Sequence, residues 1–268
     1  MTKDTRAGYE VYHRVMGKGP REALFLHCSL AHSGAWKGVA AELDDKLHMV
    51  AFDHLCHGQS ADWDETGDYG DDSTAVAKTF LQDAPIDLVG HSFGACVALR
   101  VALEAPEKVR SLVLIEPVLF SVARAISKEN EVGYEAENKT MHDALVRGDR
   151  HSAAKAFIDA WGSEQGFDSL PEAAQDAMAA QIHIVPASQN MLFDDSANML
   201  AVGRLEALKC PVLLVRGGLS PDVMAQINGG LAARLPNATR VTIPEAGHMA
   251  PISHPKETAD VMRAFWGL

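Results

Sequence analysis

Positive charge is scarce in this chain: 24 lysines and arginines stand against 36 aspartates and glutamates, a formal net charge of −12. Binding to a nucleic-acid backbone needs a basic stripe that neutralises phosphates, and this balance argues against one. The same field disfavours highly anionic substrates. No run approaches the ~20 consecutive apolar residues of a membrane span. The opening stretch from Met1 to Glu10 is polar and lacks the apolar core of a signal peptide. The expectation is a cytoplasmic protein with no membrane partner. Cysteines number four (Cys28, Cys56, Cys96, Cys210), widely spaced and without a C-x-x-C pair, which predicts free buried thiols. No G-x-G-x-x-G or P-loop follows a strand, so nucleotide chemistry has no support. Twelve histidines occur, yet none in an H-E-x-x-H or H-x-H-x-D-H spacing. The acidic run from Asp62 to Asp72 fails the calcium-loop pattern because Ser73 stands at the bidentate position. Neither metal nor cofactor is expected.

What the chain does have is a rhythm of short apolar runs followed by helical patterns. The runs Glu22–Cys28, His48–His54, Ile86–His91, Val109–Pro117, Cys210–Gly218 and Thr239–Pro244 are apolar on both faces, as buried parallel strands are. Gly8–Met16 alternates instead, which predicts an antiparallel edge strand. Helical patterns cover Gly34–Leu43, Asp72–Gln82, Phe93–Glu104 and Pro255–Trp266. The predicted fold class is α/β: a mostly parallel sheet with helices on both faces, and ligand chemistry just beyond the carboxyl ends of the strands. From Leu119 to Leu208 the rhythm stops, and helical patterns such as Asp143–Ala160 and Glu172–Ile182 replace it. This interval reads as an inserted helical cap over 119–205, splitting a core domain into 1–118 and 206–268; long crossovers within one sheet are the other reading. Apolar cap residues (Phe157, Trp161, Phe167, Leu170, Met178, Ile182, Phe193) are expected to pack the cap, with some facing the site.

Gly90-His91-Ser92-Phe93-Gly94 lies between the apolar run Ile86–Val89 and a helix-compatible run beginning at Ala95. A serine between glycines is often only a turn. Here the strand before and helix after supply the setting of a nucleophile elbow, which exposes the hydroxyl at a strand end. Other segments agree. Phe25-Leu26-His27-Cys28-Ser29 with downstream Gly34-Ala35-Trp36, Asp53-His54-Leu55-Cys56-His57-Gly58-Gln59-Ser60, and Gly247-His248-Met249-Ala250-Pro251 complete a pattern that resembles the α/β-hydrolases over nearly the whole chain outside the cap interval.

A serine needs a base, and His248, in a glycine-containing loop after the last strand, is the candidate. The resemblance implies the chain order serine, acid, histidine, with the acid after a late strand. The usual Asp position there is Ser220, so the nearest carboxylate, Asp222, is taken as the acid. Asp222 also suits a favourable charge in a helix's first turn. Glu116, at the end of an earlier strand, is the rival acid. The resemblance also implies two backbone oxyanion donors, the N–H of Phe93 and that of Ser29, with Leu30 the competitor for the second. Cys28 stands where the family usually has glycine; as a nucleophile it is less well placed than Ser92.

The expected activity is hydrolysis of a small, largely apolar carboxylic ester through an acyl-enzyme, with a small-molecule substrate and a monomer or homodimer. Carbon–carbon bond hydrolases, lactonases, thioesterases and cofactor-free haloperoxidases share these features. Haloalkane dehalogenases and epoxide hydrolases are disfavoured, since they use an Asp nucleophile. A ligand receptor retaining a slow triad is the reading from another class.

Overall fold

A computed structural model describes residues 2–126, 129–162 and 166–268. Its strands are β1 (Thr2–Arg6), β2 (Tyr9–Met16), β3 (Arg21–Leu26), β4 (Leu47–Phe52), β5 (Ile86–His91), β6 (Val109–Ile115), β7 (Val212–Gly217) and β8 (Ala238–Ile243). They form one eight-stranded sheet in the order β1-β2-β4-β3-β5-β6-β7-β8. The β1–β2 and β2–β4 pairings are antiparallel; all others are parallel. All six buried runs became the parallel strands, with ends shifted by up to two residues. The predicted antiparallel strand is β2, but it is not the edge. That place belongs to β1, whose polar sequence Thr-Lys-Asp-Thr-Arg carries no apolar signal. β1 is held by a two-residue hairpin turn, Ala7-Gly8, with φ of 49° and 91°.

Helices cover both faces. After a 3-10 turn at Ser33–Trp36 come α1 (Lys37–Glu42), α2 (Tyr69–Lys78) and α3 (Phe93–Glu104). Between β6 and β7 lie α4 (Phe120–Ile126), α5 (Glu129–Val146), α6 (Arg150–Trp161), α7 (Glu172–Gln181), α8 (Ile184–Ala187) and α9 (Gln189–Phe193), with no strand among the described residues. After β7 follow α10 (Asp222–Arg234), α11 (Ala250–Ser253) and α12 (Pro255–Trp266). The pattern expected as one helix over Asp143–Ala160 is divided. Gly148 takes a left-handed φ of 75°, and Asp149 caps α6 by accepting the Ser152 N–H at 3.0 Å.

Strand periodicity sorts the core into two layers. Leu24, Leu88, Leu112 and Leu214 pack against α3 and α10, while Phe25, Val89, Val113 and Val215 meet the α1–α12 side. At the amino ends of the strands, far from the expected chemistry, Asp87 is fully buried. It accepts from Arg21 Nε (2.5 Å), Arg110 Nε (3.1 Å) and Ser111 Oγ (2.6 Å). Replacing it leaves two guanidinium groups without their shared counter-ion. We expect Asp87→Ala to lower stability by about 2–4 kcal/mol, under the full penalty for a buried orphan charge because both arginines reach solvent. Urea unfolding measures this as a lower midpoint at unchanged slope; an unchanged midpoint would contradict it.

Candidate active site

The turn from β5 into α3 is as sharp as the sequence motif implies. Ser92 sits at φ 55°, ψ −118°, a region side-chain-bearing residues rarely occupy. The two glycines make the turn possible. A Cβ on Gly90 would lie 2.3 Å from the Gly94 carbonyl oxygen, and one on Gly94 would lie 2.4 Å from that of Leu26. Ser92 is thereby presented at the carboxyl edge of the sheet.

His248 reaches it from the loop after β8. The Ser92 Oγ–H points to His248 Nε2 at 3.0 Å, and His248 Nδ1 lies 3.0 Å from Glu116 Oε2. With the hydroxyl donating to Nε2, Nδ1 carries the proton and donates to the carboxylate. The loop is fixed from below by His91, whose Nε2 donates to the His248 carbonyl at 2.8 Å. Burial holds His91 neutral, with its pKa pushed down to about 3.

The expected partner of that imidazole was Asp222; the structure places Glu116 there instead. Asp222 is exposed at the first position of α10, where its charge faces the helix N-terminus, and it makes no hydrogen bond or ion pair with His248, whose ring partners are Ser92 and Glu116. Glu116 is fully buried and follows directly on β6, with φ 51°. Its second oxygen, Oε1, accepts the Gly217 N–H at 2.6 Å and the Ser220 hydroxyl at 2.9 Å. Ser220, the position where a carboxylate was sought, therefore bonds to the carboxylate supplied by β6. The sheet order explains this, since β6 lies between β5 and β7.

Two of the N–H groups expected to face an oxyanion are free to do so. Among the described residues, neither Phe93 N–H, at the start of α3, nor Ser29 N–H has an acceptor. The competing Leu30 N–H is taken: it donates to His57 Nε2 at 3.0 Å. This separates Ser29 from its neighbour. His57 and His27 have a role the sequence did not disclose, that of ties between loops. The ring of His27 donates from Nδ1 to the Cys28 carbonyl (2.7 Å) and accepts the His54 N–H at Nε2 (2.9 Å). Desolvation pushes the pKa of His27 well below the usual histidine range, that of His54 to about 3 and that of His57 to about 4, so all three rings stay neutral. Among the described residues no three His, Cys, Asp or Glu side chains converge to hold a metal ion. Burial pushes the Cys28 thiol up to about 12, away from the reactive thiolate.

Ser92 and His248 stand where two apolar lobes meet. One is lined by Val118, Phe120, Phe157, Trp161, Leu192 and Phe193 among others. The other includes Cys28, Leu30, Ile158, Met178, Met249 and Ile252. Ser29, Phe157 and Trp161 border both, and no Asp, Glu, Lys or Arg lines either. Of the apolar residues expected to pack the cap, Phe157, Trp161, Met178 and Phe193 face the lobes, while Phe167 and Ile182 are buried among the helices.

Comparison with known proteins agrees with this architecture. Residues 23–261 match the model of the alpha/beta hydrolase family. A pimeloyl-acyl-carrier-protein methyl ester esterase of Nitrosomonas europaea is 28% identical over 249 residues, covering 92% of this chain and 96% of that one. The lipase LipV of Mycobacterium tuberculosis is 28% identical over 255 residues, covering 93% and 94%. Among solved structures, an epoxide hydrolase of Bacillus megaterium superposes with a TM-score of 0.77 over the full length of both chains at 19% identity, a likeness of fold alone. The elbow, the loops around it and the match across most of its length together mean that the chain belongs to the alpha/beta hydrolase family.

Proposed function

We propose that this protein is a serine hydrolase that cleaves small, uncharged, largely apolar carboxylic esters through an acyl-enzyme. The observation that carries the reading is the continuous hydrogen-bonded line Ser92–His248–Glu116 at the meeting point of two uncharged lobes. In this reading His248 takes the Ser92 proton as the hydroxyl attacks the ester carbonyl. Glu116 holds Nδ1 protonated and stabilises the imidazolium that forms. The N–H groups of Phe93 and Ser29 receive the developing oxyanion. His248 then delivers its proton to the departing alkoxide, and water repeats the sequence on the acyl-enzyme to release the acid. The helices of 119–205 act as the cap that excludes bulk water and supplies most of the apolar lining.

The absence of charge from both lobes supports a substrate neutral at either end, because an unpaired charge there would be desolvated without compensation. The names of the relatives support ester or related acyl chemistry in general.

A fluorophosphonate probe followed by intact-mass measurement tests the reading. One adduct on the wild type and none on Ser92→Ala is expected, together with multiple turnover of short-chain p-nitrophenyl esters. Absence of any adduct on the folded wild type would overturn it. Labelling with turnover stopping after about one equivalent would favour a ligand receptor over a hydrolase.

A further inference from the structure

A second pocket lies at the margin of the sheet, where β7 and β8 emerge beside α10, and it shares no residue with the lobes around Ser92. Strand alternation builds it. Val212 and Leu214 point into the core beneath α10, so the next residue on that face of β7 is Arg216. The register sets Arg216 opposite Thr242 and Leu214 opposite Arg240, which brings Arg216, Arg240 and Thr242 to the same face. α10 adds Ala225 and Asn228, and Val241 completes an open pocket. Arg240 lies along the helix: a Cβ on Gly229 would be 3.7 Å from its Nη1.

Three features of this pocket are unsatisfied. Among the described residues neither the Arg216 nor the Arg240 side chain makes an ion pair or hydrogen bond, and no acidic side chain lines the pocket, in a chain of net charge −12. Arg216 is half-buried and has no counter-ion beside it. Asn228 is only 4% exposed, and its Oδ1 is buried without a donor. A missing partner for a buried polar atom and two adjacent uncompensated guanidinium groups point to one kind of ligand.

We propose that this pocket binds a small oxyanion that keeps an O–H of its own, with inorganic phosphate as the simplest member. The anionic oxygens would accept from the forked donors of Arg216 and Arg240, and from the Thr242 hydroxyl where it reaches. The ligand's own O–H would donate to Asn228 Oδ1. Hydrogen phosphate meets both demands at neutral pH. Sulfate carries acceptors only, and a phosphate monoester, with its second pKa near 6, has lost its O–H by pH 7.5.

Isothermal titration at pH 7.5 and constant ionic strength, using inorganic phosphate, methyl phosphate and sulfate, distinguishes these sources. The wild type is expected to saturate with phosphate at one site and to bind sulfate and methyl phosphate at least about fivefold more weakly. Arg240→Gln, an exposed change on an edge strand that leaves the core intact, is expected to weaken phosphate binding by about tenfold or more. Asn228→Ala, checked for folding by its thermal unfolding midpoint, is expected to erase the preference for phosphate over sulfate. No saturable phosphate binding by the wild type, or equal affinity in Arg240→Gln, overturns the site. Equal binding of sulfate and phosphate by the wild type overturns the requirement for an O–H.

Discussion

Glu116→Gln is expected to lower kcat/KM for an ester substrate by about 10³–10⁴-fold, while Asp222→Asn leaves it within about twofold. The size of the first effect comes from the tautomer. Glu116 Oε1 is already committed to two donors, Gly217 N–H and Ser220 O–H. A glutamine keeps those bonds by placing its own oxygen there, which turns its NH₂ group toward His248 Nδ1. The imidazole then accepts at Nδ1 and carries its proton on Nε2, where it cannot take one from Ser92. The substitution is nearly isosteric and the fold survives it, so activity and folding can be read separately. Asp222 is exposed at the start of α10, and its amide analogue loses only a favourable first-turn charge. Steady-state kinetics on both variants, with fluorophosphonate labelling rates beside them, decide the assignment. A large loss in Asp222→Asn with Glu116→Gln near wild type would reverse it.

Acidification from pH 7.5 to 5.5 is expected to remove about 6 kcal/mol of folding stability, through four buried histidines. Burial is the leading cause in each case. It holds His54 and His91 down to about 3, His57 to about 4, and His27 well below the ordinary range, with neighbouring rings opposing the charge further. In the unfolded chain each titrates near 6.5, so between that value and about 4 the unfolded state binds protons that the folded state refuses. Stability from a depressed histidine is fully present above pH 6.5 and falls as pH drops toward the folded pKa. Each ring contributes about 1.4 kcal/mol of loss at pH 5.5 and about 2 at pH 5. Against a typical total of about 5–15 kcal/mol, that places acid unfolding near pH 5. Urea midpoints at pH 7.5, 6.5 and 5.5 measure the effect. Equal midpoints at the two extremes would show that these rings are solvated or already charged in the fold.

Much of this was legible because it is written among near neighbours. The buried strands announce themselves by apolar runs, and the elbow by two glycines that must stand within four residues of each other around Ser92. The meeting of His248 with Ser92 was foreseeable because the histidine's loop follows the last strand. The carboxylate that meets it was not, because both Glu116 and Asp222 follow strands and both precede His248. The choice depended on reach across the sheet. β6 lies between the strand that carries Ser92 and the strand that leads to Ser220, so its first residue beyond the sheet can touch both loops, while Pro221 starts a helix that carries Asp222 out to solvent. The same limit hid β1, a polar strand made by pairing rather than burial. It hid the ties from His57 and His27, and the pairing of Arg216 with Arg240 in one pocket. Periodicity and turn chemistry act through bonds and adjacent residues, and a sequence displays them. Which distant side chains meet is decided by strand order, register and side-chain length, and only the folded chain supplies those.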